Sequence, residues 1–478
     1  MKKLFYLAAI LVTGFVGIIL INTARYSTQI PHTNADHLPV YDSIAVNNLS
    51  RAIQMKTISE DKGAVCDTAS FVNFRNFLDS SYPLIHAQLE KTIINEFSYI
   101  YRWKGNDSSL KPYLFLAHSD VVPVEPSSQN LWHVPPFAGT IKDSAVWGRG
   151  AIDDKGSLIA LMEACEALLK QGFKPRRDIY LCFGHDEELG GNNGAAQIVK
   201  WFESKNIYAA LVADEGGIIT KENFKDLNRP VALLGVAEKG HVSFELTVEK
   251  EGGHSSMPEK ETAIDILSRA LTHLREKPTP VNINAATNAM LNKIGPGLGF
   301  TTRMALANRW VFESMLIKTF ESSKGKNASI HTTIVPTIIE SGVKENVIPS
   351  VAKATVNCRI MPGESAAGVL AFIKDAINDD RIKIKQLPFF AEPGKTSPID
   401  GVAYKKAEAA AYKLMDDIIP VPFLMIGATD GRYYDKISDA VIRFLPALDP
   451  QGFHGIDEKI TFDDFRRMIY YYQLMIKE

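Results

Sequence analysis

Three short apolar runs of the sequence are each followed by side chains that can bind a metal ion. The histidines and carboxylates that follow the runs lie at residues 118–120, 185–188 and 214–215. An uninterrupted apolar run of strand length is typical of a strand buried on both faces of a parallel sheet. The carboxyl ends of such strands meet in one crevice, so we expect the three clusters to lie together.

Two further groups of residues could complete such a cluster. One is the segment 148–156, which carries Asp153 and opens a predicted helix, and the other is 453–455, which carries His454. Two histidines with three carboxylates suit zinc, and a carboxylate shared between two ions lets each ion keep one position open. Without cations, so many acids in one apolar crevice would raise one another's pKa. The sequence therefore favours a two-metal centre.

The spacing of apolar residues predicts an α/β fold for most of the chain. Between the first two runs, apolar residues over 158–169 recur at helical spacing and stop before Gly172, a favourable residue for a helix end. Such helices alternate with the buried strands. This alternation predicts a mainly parallel sheet with helices on both faces.

After about residue 240 the pattern changes to strict alternation. Apolar and polar residues alternate over 242–249 and again over 354–360, with a segment of helical spacing between them. Alternation predicts strands with one solvent-exposed face, and hence an antiparallel sheet backed by helices. We predict an inserted α+β lid or dimerisation domain over 240–388, through which a homodimer could form. The catalytic domain would then comprise residues 46–239 and 389–478.

The amino-terminal segment is predicted to enter a membrane. Within residues 1–25, Lys2 and Lys3 precede an uncharged apolar stretch that is long enough to span a bilayer. Only Ala24 resembles a cleavage site, so an uncleaved signal anchor is favoured over a cleaved signal peptide. In both cases the remaining chain is extracytoplasmic: periplasmic, extracellular or lumenal. Residues 26–45, polar and proline-containing, are predicted to form a stalk.

The charge balance of the sequence limits which kinds of molecule the protein is expected to bind. The 478 residues include 53 basic and 55 acidic side chains, a net charge of −2, which gives no electrostatic attraction for nucleic acid. A small molecule or peptide is the better substrate. The four cysteines show no C-x-x-C spacing and do not indicate a disulfide framework; they are Cys66, Cys165, Cys182 and Cys358.

A series of motifs along the chain resembles one enzyme family closely. The sequence is similar to the aminoacylase and carboxypeptidase S group of di-zinc metallopeptidases, the M-20 peptidases. The resemblance covers nearly all of the chain after the amino-terminal segment. It rests on motifs that occur in the family's order: HSDVVPV, WGRGAIDDKG, GHDEELGG, ADEGG, EGGHSSMP, ENVIPS, CRIMPGE, GATDGRYY and FHGIDE.

The resemblance implies a particular set of metal ligands. His118, Asp153 and Asp214 would hold one Zn²⁺, and Asp153, Glu188 and His454 would hold the other, with Asp153 as the bridge. Co²⁺ or Mn²⁺ would be able to substitute for zinc. In the family, the peptide bond after the bridging aspartate tends to be cis.

The resemblance also implies roles for two carboxylates beside the ligands. Glu187 matches the general base, which takes a proton from the attacking water and returns it to the leaving nitrogen. Asp120 can accept a hydrogen bond from the free ring nitrogen of His118 and so fix its tautomer. The alternative for Asp120 is a simple loop cap.

Four further residues match family positions that contact substrate. His254 matches the lid histidine that stabilises the oxyanion, which in many relatives comes from the partner subunit. Asn346 and Arg359 match lid residues, although an arginine on a solvent-exposed strand face is commonly just solvated. Arg432 lies on the catalytic domain, and its guanidinium could grip a carboxylate with two hydrogen bonds.

These inferences favour a hydrolase that cleaves the amide bond next to a free C-terminal carboxylate in small peptides or N-acyl amino acids. The reverse reaction, condensation of a fatty acid with an amino acid, is conceivable in this group. The alternative is a non-catalytic, membrane-tethered peptide-binding relative, but Glu187 and the implied ligand positions are all present. A serine hydrolase would need a G-x-S-x-G motif, which the sequence lacks.

Overall fold

The computed structural model of the protein describes residues 2–26, 30–39, 43–59 and 67–477. Cys66 lies outside the described residues. The other three cysteines are buried free thiols that pack as small hydrophobic residues.

An eight-stranded sheet forms the centre of the described chain, and strands are numbered here along the sequence. Its strands run in the spatial order 1-2-6-3-7-16-8-15. They are β1 (Glu90–Ile94), β2 (Ser98–Trp103), β3 (Tyr113–His118), β6 (Ile179–Gly184), β7 (Leu211–Thr220), β8 (Val231–Glu238), β15 (Ile419–Met425) and β16 (Val441–Leu448). The middle of the sheet, β6-β3-β7-β16, is parallel, and β1, β2 and β6 pair antiparallel at one edge.

The register of the central strands brings the predicted clusters together. His118, the last residue of β3, lies opposite Gly184 of β6, and Phe115 of β3 lies opposite Ala213 of β7. Residues 185–188 and 214–215 follow directly, so all three clusters emerge at one edge of the sheet. The apolar runs form these strands because both of their faces are covered by helices.

Helices cover both faces of this sheet, which confirms the predicted fold class. The α-helices of the described residues, on this sheet and elsewhere, are α1 (Lys2–Arg25), α2 (Ser43–Gln54), α3 (Thr68–Ser81), α4 (Pro83–Gln88), α5 (Lys155–Lys170), α6 (Ala195–Ser204), α7 (Ala263–Glu276), α8 (Ala285–Ile294), α9 (Phe300–Ala307), α10 (Arg309–Glu321), α11 (Lys324–Ala328), α12 (Ala366–Ile377), α13 (Val402–Tyr412), α14 (Gly431–Tyr434) and α15 (Phe462–Ile476). The core on one face includes α2, α5, α13 and α15, and the core on the other includes α6 and α14.

A separate antiparallel sheet has its own hydrophobic core. Its spatial order is β11-β13-β9-β14, and helices α7 and α12 pack against it. The strands are β9 (Gly240–Glu249), β11 (Thr333–Ser341), β13 (Val351–Ile360) and β14 (Ile382–Gln386). Alternate residues of β9 and β13 enter this core, because successive side chains of a strand point to opposite faces. We call this unit the lid.

Two small sheets complete the strands of the described chain. One is three-stranded, with β17 (Lys459–Thr461), β5 (Ala145–Trp147) and β4 (Thr140–Lys142) side by side. The other is the antiparallel pair β10 (Gly253–His254) and β12 (Val347–Ile348), in which β10 follows β9 and β12 precedes β13 in the chain. We call this pair the lid hairpin, although its two strands are not consecutive in the sequence. The three-stranded sheet ties the segment before Asp153 to the segment after His454.

The segment between the lid strands does not pack on the lid alone. Helices α8, α9 and α10 contribute to a fourth core cluster, which also contains residues of β8 and β15. These helices therefore lie on the edge of the main sheet, although the sequence between 280 and 330 was included in the predicted inserted domain. The extent of that domain, 240–388, stays a prediction.

The predicted stalk is not a free tether over its described part. Within 30–39, Asp36 N–H donates to the Lys413 carbonyl at 3.0 Å, and the Thr33 carbonyl accepts from Asp417 N–H at 2.8 Å. Arg229 donates to the carbonyl oxygens of Ile30 and Pro31 at 3.1 and 2.7 Å. The backbone of this described part therefore hydrogen-bonds to the catalytic body, and the extent of the stalk, 26–45, stays a prediction. Residues 27–29 and 40–42 lie outside the described residues.

Candidate metal centre

His118 is buried at the carboxyl end of β3 and faces two carboxylates. Its Nε2 lies 2.9 Å from Asp153 Oδ1 and 3.6 Å from Glu215 Oε1. Its Nδ1 lies 3.0 Å from the backbone oxygen of Asp120 and 3.2 Å from the Asp120 carboxylate. Because both neighbours of Nδ1 are acceptors, a ring that binds a metal through Nε2 would carry its proton on Nδ1.

Asp120 connects the histidine to the turn that carries the two glutamates. Its carboxylate accepts from the backbone N–H groups of Glu187 and Glu188, each at 3.2 Å, and from the hydroxyl of Ser59. The side chain is fully buried. The predicted role of Asp120 in orienting His118 is consistent with these contacts, and a loop cap alone would not account for the contact with the ring.

Asp153 lies between the two histidines of the centre. Its Oδ1 faces His118, and its Oδ2 lies 3.1 Å from Nε2 of His454. The same Nε2 lies 3.2 Å from Glu188 Oε2. Ligand atoms of one zinc ion with bonds near 2.0–2.1 Å are roughly 3 Å apart, so these spacings suit shared coordination. The Asp153–Asp154 peptide bond is cis, as the resemblance implied.

Two overlapping groups of candidate ligands result. Within the part of the chain that the structure describes, His118, Asp153 and Glu188 offer ligand atoms within 4.8 Å of one another, and so do His118, Glu187 and Glu215. Oε1 of Glu188 is buried without a hydrogen-bond partner in the same described part. A buried carboxylate oxygen without a partner is costly, and a bound cation would satisfy it. The residues present therefore fit a metal.

Glu215 occupies the place that the sequence assigned to Asp214. Asp214 turns away: its Oδ2 accepts from Gly431 N–H at 2.7 Å. Burial raises the pKa of Asp214, and the nearby charge of Arg443 acts in the opposite direction. Neighbouring residues of a strand point to opposite sides, so only one of the two acids can face His118. The buried guanidinium of Arg443, which pairs with Glu238, lies on the side of Asp214, and the structure brings Glu215 rather than Asp214 to His118.

The carboxylates of the centre are held in an environment that disfavours several negative charges. Burial raises the pKa of Glu187 well above its usual value, and the carboxylates of Asp430, Glu215 and Glu188 act in the same direction. Burial, together with the charge of Asp153, raises the pKa of Glu215 to about 8. A bound cation would offset the repulsion between these carboxylates, as predicted from the sequence.

A buried ion pair fixes the turn that carries Asp153. The Glu458 carboxylate accepts from Arg149 at 2.7 Å and from the backbone N–H groups of Gly150 and Ile152 at 3.0 and 2.8 Å. Sequence reasoning quoted both motifs but assigned no role to Arg149 or Glu458. The sequence does contain a signal for this ion pair: an acidic residue lies four positions after His454, and an arginine lies four positions before Asp153.

Arg432 lies beside the glutamate turn. It donates to the carbonyl oxygens of Gly190 at 2.8 Å and Thr429 at 3.0 Å. Arg359 approaches from the lid: burial lowers its pKa, and the nearby charge of Arg432 acts in the same direction. The two predicted substrate-binding arginines therefore lie near each other at the boundary between the catalytic domain and the lid.

His254 and Asn346 lie together on the lid hairpin. His254 pairs with Val347, and Asn346 accepts from Ser255 N–H at 3.1 Å. The His254 ring contacts Ser256 at 2.8 Å and is exposed. Among the described residues, the structure records no contact between this hairpin and the metal ligands. The structure thus brings the two predicted lid residues to each other and leaves them apart from the cluster.

A mainly parallel sheet carries a candidate metal centre rich in carboxylates at its carboxyl edge, and a separate antiparallel lid belongs to the same chain. This arrangement fits a metal-dependent hydrolase. The family model described as "Peptidase family M20/M25/M40" matches residues 114–478. The chain belongs to this family, which confirms the resemblance seen in the motifs.

Relatives of known name agree with this assignment. The chain is 36% identical to "Probable carboxypeptidase S-like 2" of Dictyostelium discoideum, covering 98% of this chain and 92% of that protein. It is 35% identical to the human "N-fatty-acyl-amino acid synthase/hydrolase PM20D1", covering 88% and 85%. The fold is similar to that of the M20 family metallo-carboxypeptidase Sso-CP2 from Sulfolobus solfataricus, with a TM-score of 0.67 at 17% identity, covering 91% and 99%. The protein is therefore an enzyme of the peptidase and amidohydrolase type.

Proposed function

We propose that the protein is a two-zinc hydrolase that cleaves the amide bond next to a free C-terminal carboxylate in N-acyl amino acids or small peptides. The observation that carries this proposal is the position of Asp153, with one carboxylate oxygen facing His118 and the other facing His454. A carboxylate between two histidines is suited to bridge two ions. The remaining acids surround it on both sides.

The proposed ligands divide into two sets that share Asp153. His118 and Glu215 complete the first set, and Glu188 and His454 complete the second. When bound, two zinc ions would polarise the scissile carbonyl and make water more acidic. Co²⁺ or Mn²⁺ would be expected to substitute, because carboxylate and imidazole ligands accept them.

Glu187 is proposed as the general base. Its carboxylate lies within reach of His118 and Glu215 without being needed in either ligand set. Burial raises its pKa, which matches a group that must accept a proton and later release it to the leaving nitrogen. Its neighbour Glu188 is directed to His454, so the two adjacent glutamates would have different functions.

The free carboxylate of the substrate is proposed to bind between Arg432 and Arg359. Two guanidinium groups that lie near each other favour an anion between them. His254 and Asn346 are proposed to stabilise the oxyanion. Because the lid hairpin has no recorded contact with the metal ligands, this step requires closure of the lid or the hairpin of a second copy in a homodimer.

An apolar acyl group is the better fit for the other end of the substrate. Phe389 is 47% exposed, lies against Gly190 of the glutamate turn and stacks near His241 at 5.2 Å between ring centroids. Phe453, which precedes His454, is also partly exposed. The name of the human relative points to N-fatty-acyl amino acids, and the name of the Dictyostelium relative points to peptides. These aromatic residues favour the former.

Purified protein should be assayed on dipeptides and on N-acyl amino acids of short and long acyl chain, with metal content measured in parallel. We expect hydrolysis of N-acyl amino acids, loss of activity after chelation, and recovery with about two zinc ions per chain. Methyl esters of the same substrates are the control, since they lack the carboxylate for Arg432. Activity that survives complete removal of metal would exclude the proposed function.

We also propose that α1 anchors the enzyme in a membrane, with the catalytic body on the extracytoplasmic side. By length and composition α1 can cross a bilayer, with a mean hydropathy of 2.7. A cleaved signal peptide has the same composition, so composition alone does not separate these alternatives.

A further inference from the structure

The carboxyl-terminal turns of α1 pack on the enzyme, whereas most of its remaining surface is exposed. Ile19 and Thr23 are buried, and residues 4–12 are open to the surroundings. The contacts are made with α9 and with the residue that joins it to α10, Asn308. A segment destined for removal has no need of a fitted site on the mature protein.

Asn308 is the centre of this packing. It is fully buried, and its side-chain amide contacts the Ile19 carbonyl and the Thr23 hydroxyl, each at 3.2 Å, while its oxygen accepts from Asn22 at 2.9 Å. Removal of residues up to Ala24 would take these three partners away. A buried amide would then lose most of its hydrogen bonds, which is unfavourable.

A second contact extends the packing beyond the helix. The Tyr26 hydroxyl donates to the Leu291 carbonyl at 3.1 Å, and a Cβ on Gly295 would come within 2.3 Å of that hydroxyl. Glycine at 295 is therefore required for this close approach. Together with the packed segment 30–39, these contacts leave the end of α1 attached to the body rather than separated from it by a long tether.

An exposed apolar surface adjoins the helix at the depth where a bilayer would begin. Phe15 of α1 makes an edge-to-face contact with Trp310 of α10, with ring centroids 5.7 Å apart. Trp310 is 64% exposed, and Phe300, Val311 and Met315 on α9 and α10 are exposed as well. Phe15 precedes Ile19, the first buried residue of α1, by four residues, or about 6 Å of helix. Trp310 would therefore lie near the point where the exposed part of α1 meets the body and the headgroups would begin.

We propose that α9 and α10, with the end of α1, form a membrane-contact surface that holds the catalytic body directly on the lipid bilayer. This inference rests on the proposed anchoring by α1. Trp310 and Phe300 enter the headgroup region, where aromatic side chains are favoured. The occupant is a bilayer because the patch is continuous with a helix of bilayer-spanning length and because Trp310 contacts that helix itself.

The test uses the full-length protein in phosphatidylcholine vesicles that carry bromine near the headgroup or at the acyl end. We expect the shallow bromines to quench tryptophan fluorescence more strongly, and Trp310→Phe to lose most of that quenching. Trp201→Phe, which alters a tryptophan on α6, is the matched control and should keep it. Equal quenching in the wild type and Trp310→Phe would overturn the proposal.

Further measurements distinguish the membrane-contact surface from a cleaved α1 and from a dimer that covers Trp310. The intact mass of the membrane-extracted protein should include residues 2–25, and a chain that begins after Ala24 would overturn the retention of α1. If Trp310 were instead covered by a second copy, it would be unquenched by lipid and the protein would dimerise in detergent. Turnover of a soluble short-chain N-acyl amino acid should be unchanged in Trp310→Phe, so failure of the membrane surface and failure of the hydrolase are distinguishable.

Discussion

The metal cluster and the lid hairpin differ in how completely they are built before substrate arrives. In the cluster, His118 is held by Asp120 and the turn of Asp153 is held by Glu458, all of them in buried positions. In the lid hairpin, His254 is exposed on a strand of two residues. One half of the proposed active site is fixed by buried contacts, and the other half lacks such contacts.

The difference suggests a division between binding of metal and stabilisation of the transition state. A rigid cluster can hold ions at fixed spacing without any movement of the lid. A mobile hairpin can complete the site only when substrate draws the lid down, which excludes water at the same time. Changes in the cluster should therefore alter metal content or the proton transfer, and changes in the hairpin should alter turnover alone.

The largest effect is expected from Glu187→Gln. The amide cannot accept the proton of the attacking water, so kcat should fall by about 10²–10⁴-fold. Metal content should stay as in the wild type, because the ligand sets do not need this residue. Glu222→Gln, an exposed glutamate, is the control. Near-normal turnover in Glu187→Gln would remove Glu187 from the mechanism.

Glu215→Gln and Asp214→Asn form a matched pair for the ligand assignment. Loss of a direct anionic ligand should weaken one ion by more than about 10²-fold, so Glu215→Gln should retain one ion where the wild type holds two. Asp214→Asn should keep both ions and lose about 1–3 kcal/mol of stability, since its neighbour Arg443 is buried. Elemental analysis measures the number of bound ions, and thermal unfolding measures the loss of stability. The opposite pattern would restore Asp214 as the ligand.

His254→Ala should lower kcat by roughly 10²-fold and leave metal content unchanged, as expected for loss of one oxyanion donor. Ser256→Ala, which removes the hydroxyl that contacts the same ring, is a control for local disturbance of the hairpin. A loss of bound metal in His254→Ala would show that hairpin and cluster are not independent.

The smallest effect is expected from Asp120→Asn. The amide keeps an oxygen for the His118 ring but loses the charge, and metal affinity should fall by about 10–100-fold. Competition with a chromogenic chelator measures this change. Saturating zinc should restore most of the activity, which distinguishes a positioning residue from a ligand.

The central strands were predictable because both of their faces are buried. Apolar runs at 113–117 and 179–183 became β3 and β6 with nearly the same bounds, Tyr113–His118 and Ile179–Gly184. The choice between Asp214 and Glu215 was not predictable from local sequence. It depends on which side of β7 is taken by Arg443, a residue more than two hundred positions away in the chain.

The region around α10 was difficult to interpret for a different reason. Its apolar side chains are distributed around the helix, because some of them enter the core with β8 and β15 while Trp310 and Met315 remain exposed. No single apolar face results, so helical periodicity gives little signal. The packing of residues 30–39 on the body was not predictable either, because polar composition does not reveal whether hydrogen bonds are made to water or to a protein surface.

The hydrogen bonds from the N–H groups of Gly150 and Ile152 to the Glu458 carboxylate have a consequence for biogenesis. The candidate ligands span positions 118 to 454, and the turn of Asp153 receives its support from a residue that is synthesised three hundred positions later. Nascent chains would therefore leave the ribosome unable to close the centre. Acquisition of the proposed metal ions would then be a late event, in whichever compartment the finished chain folds.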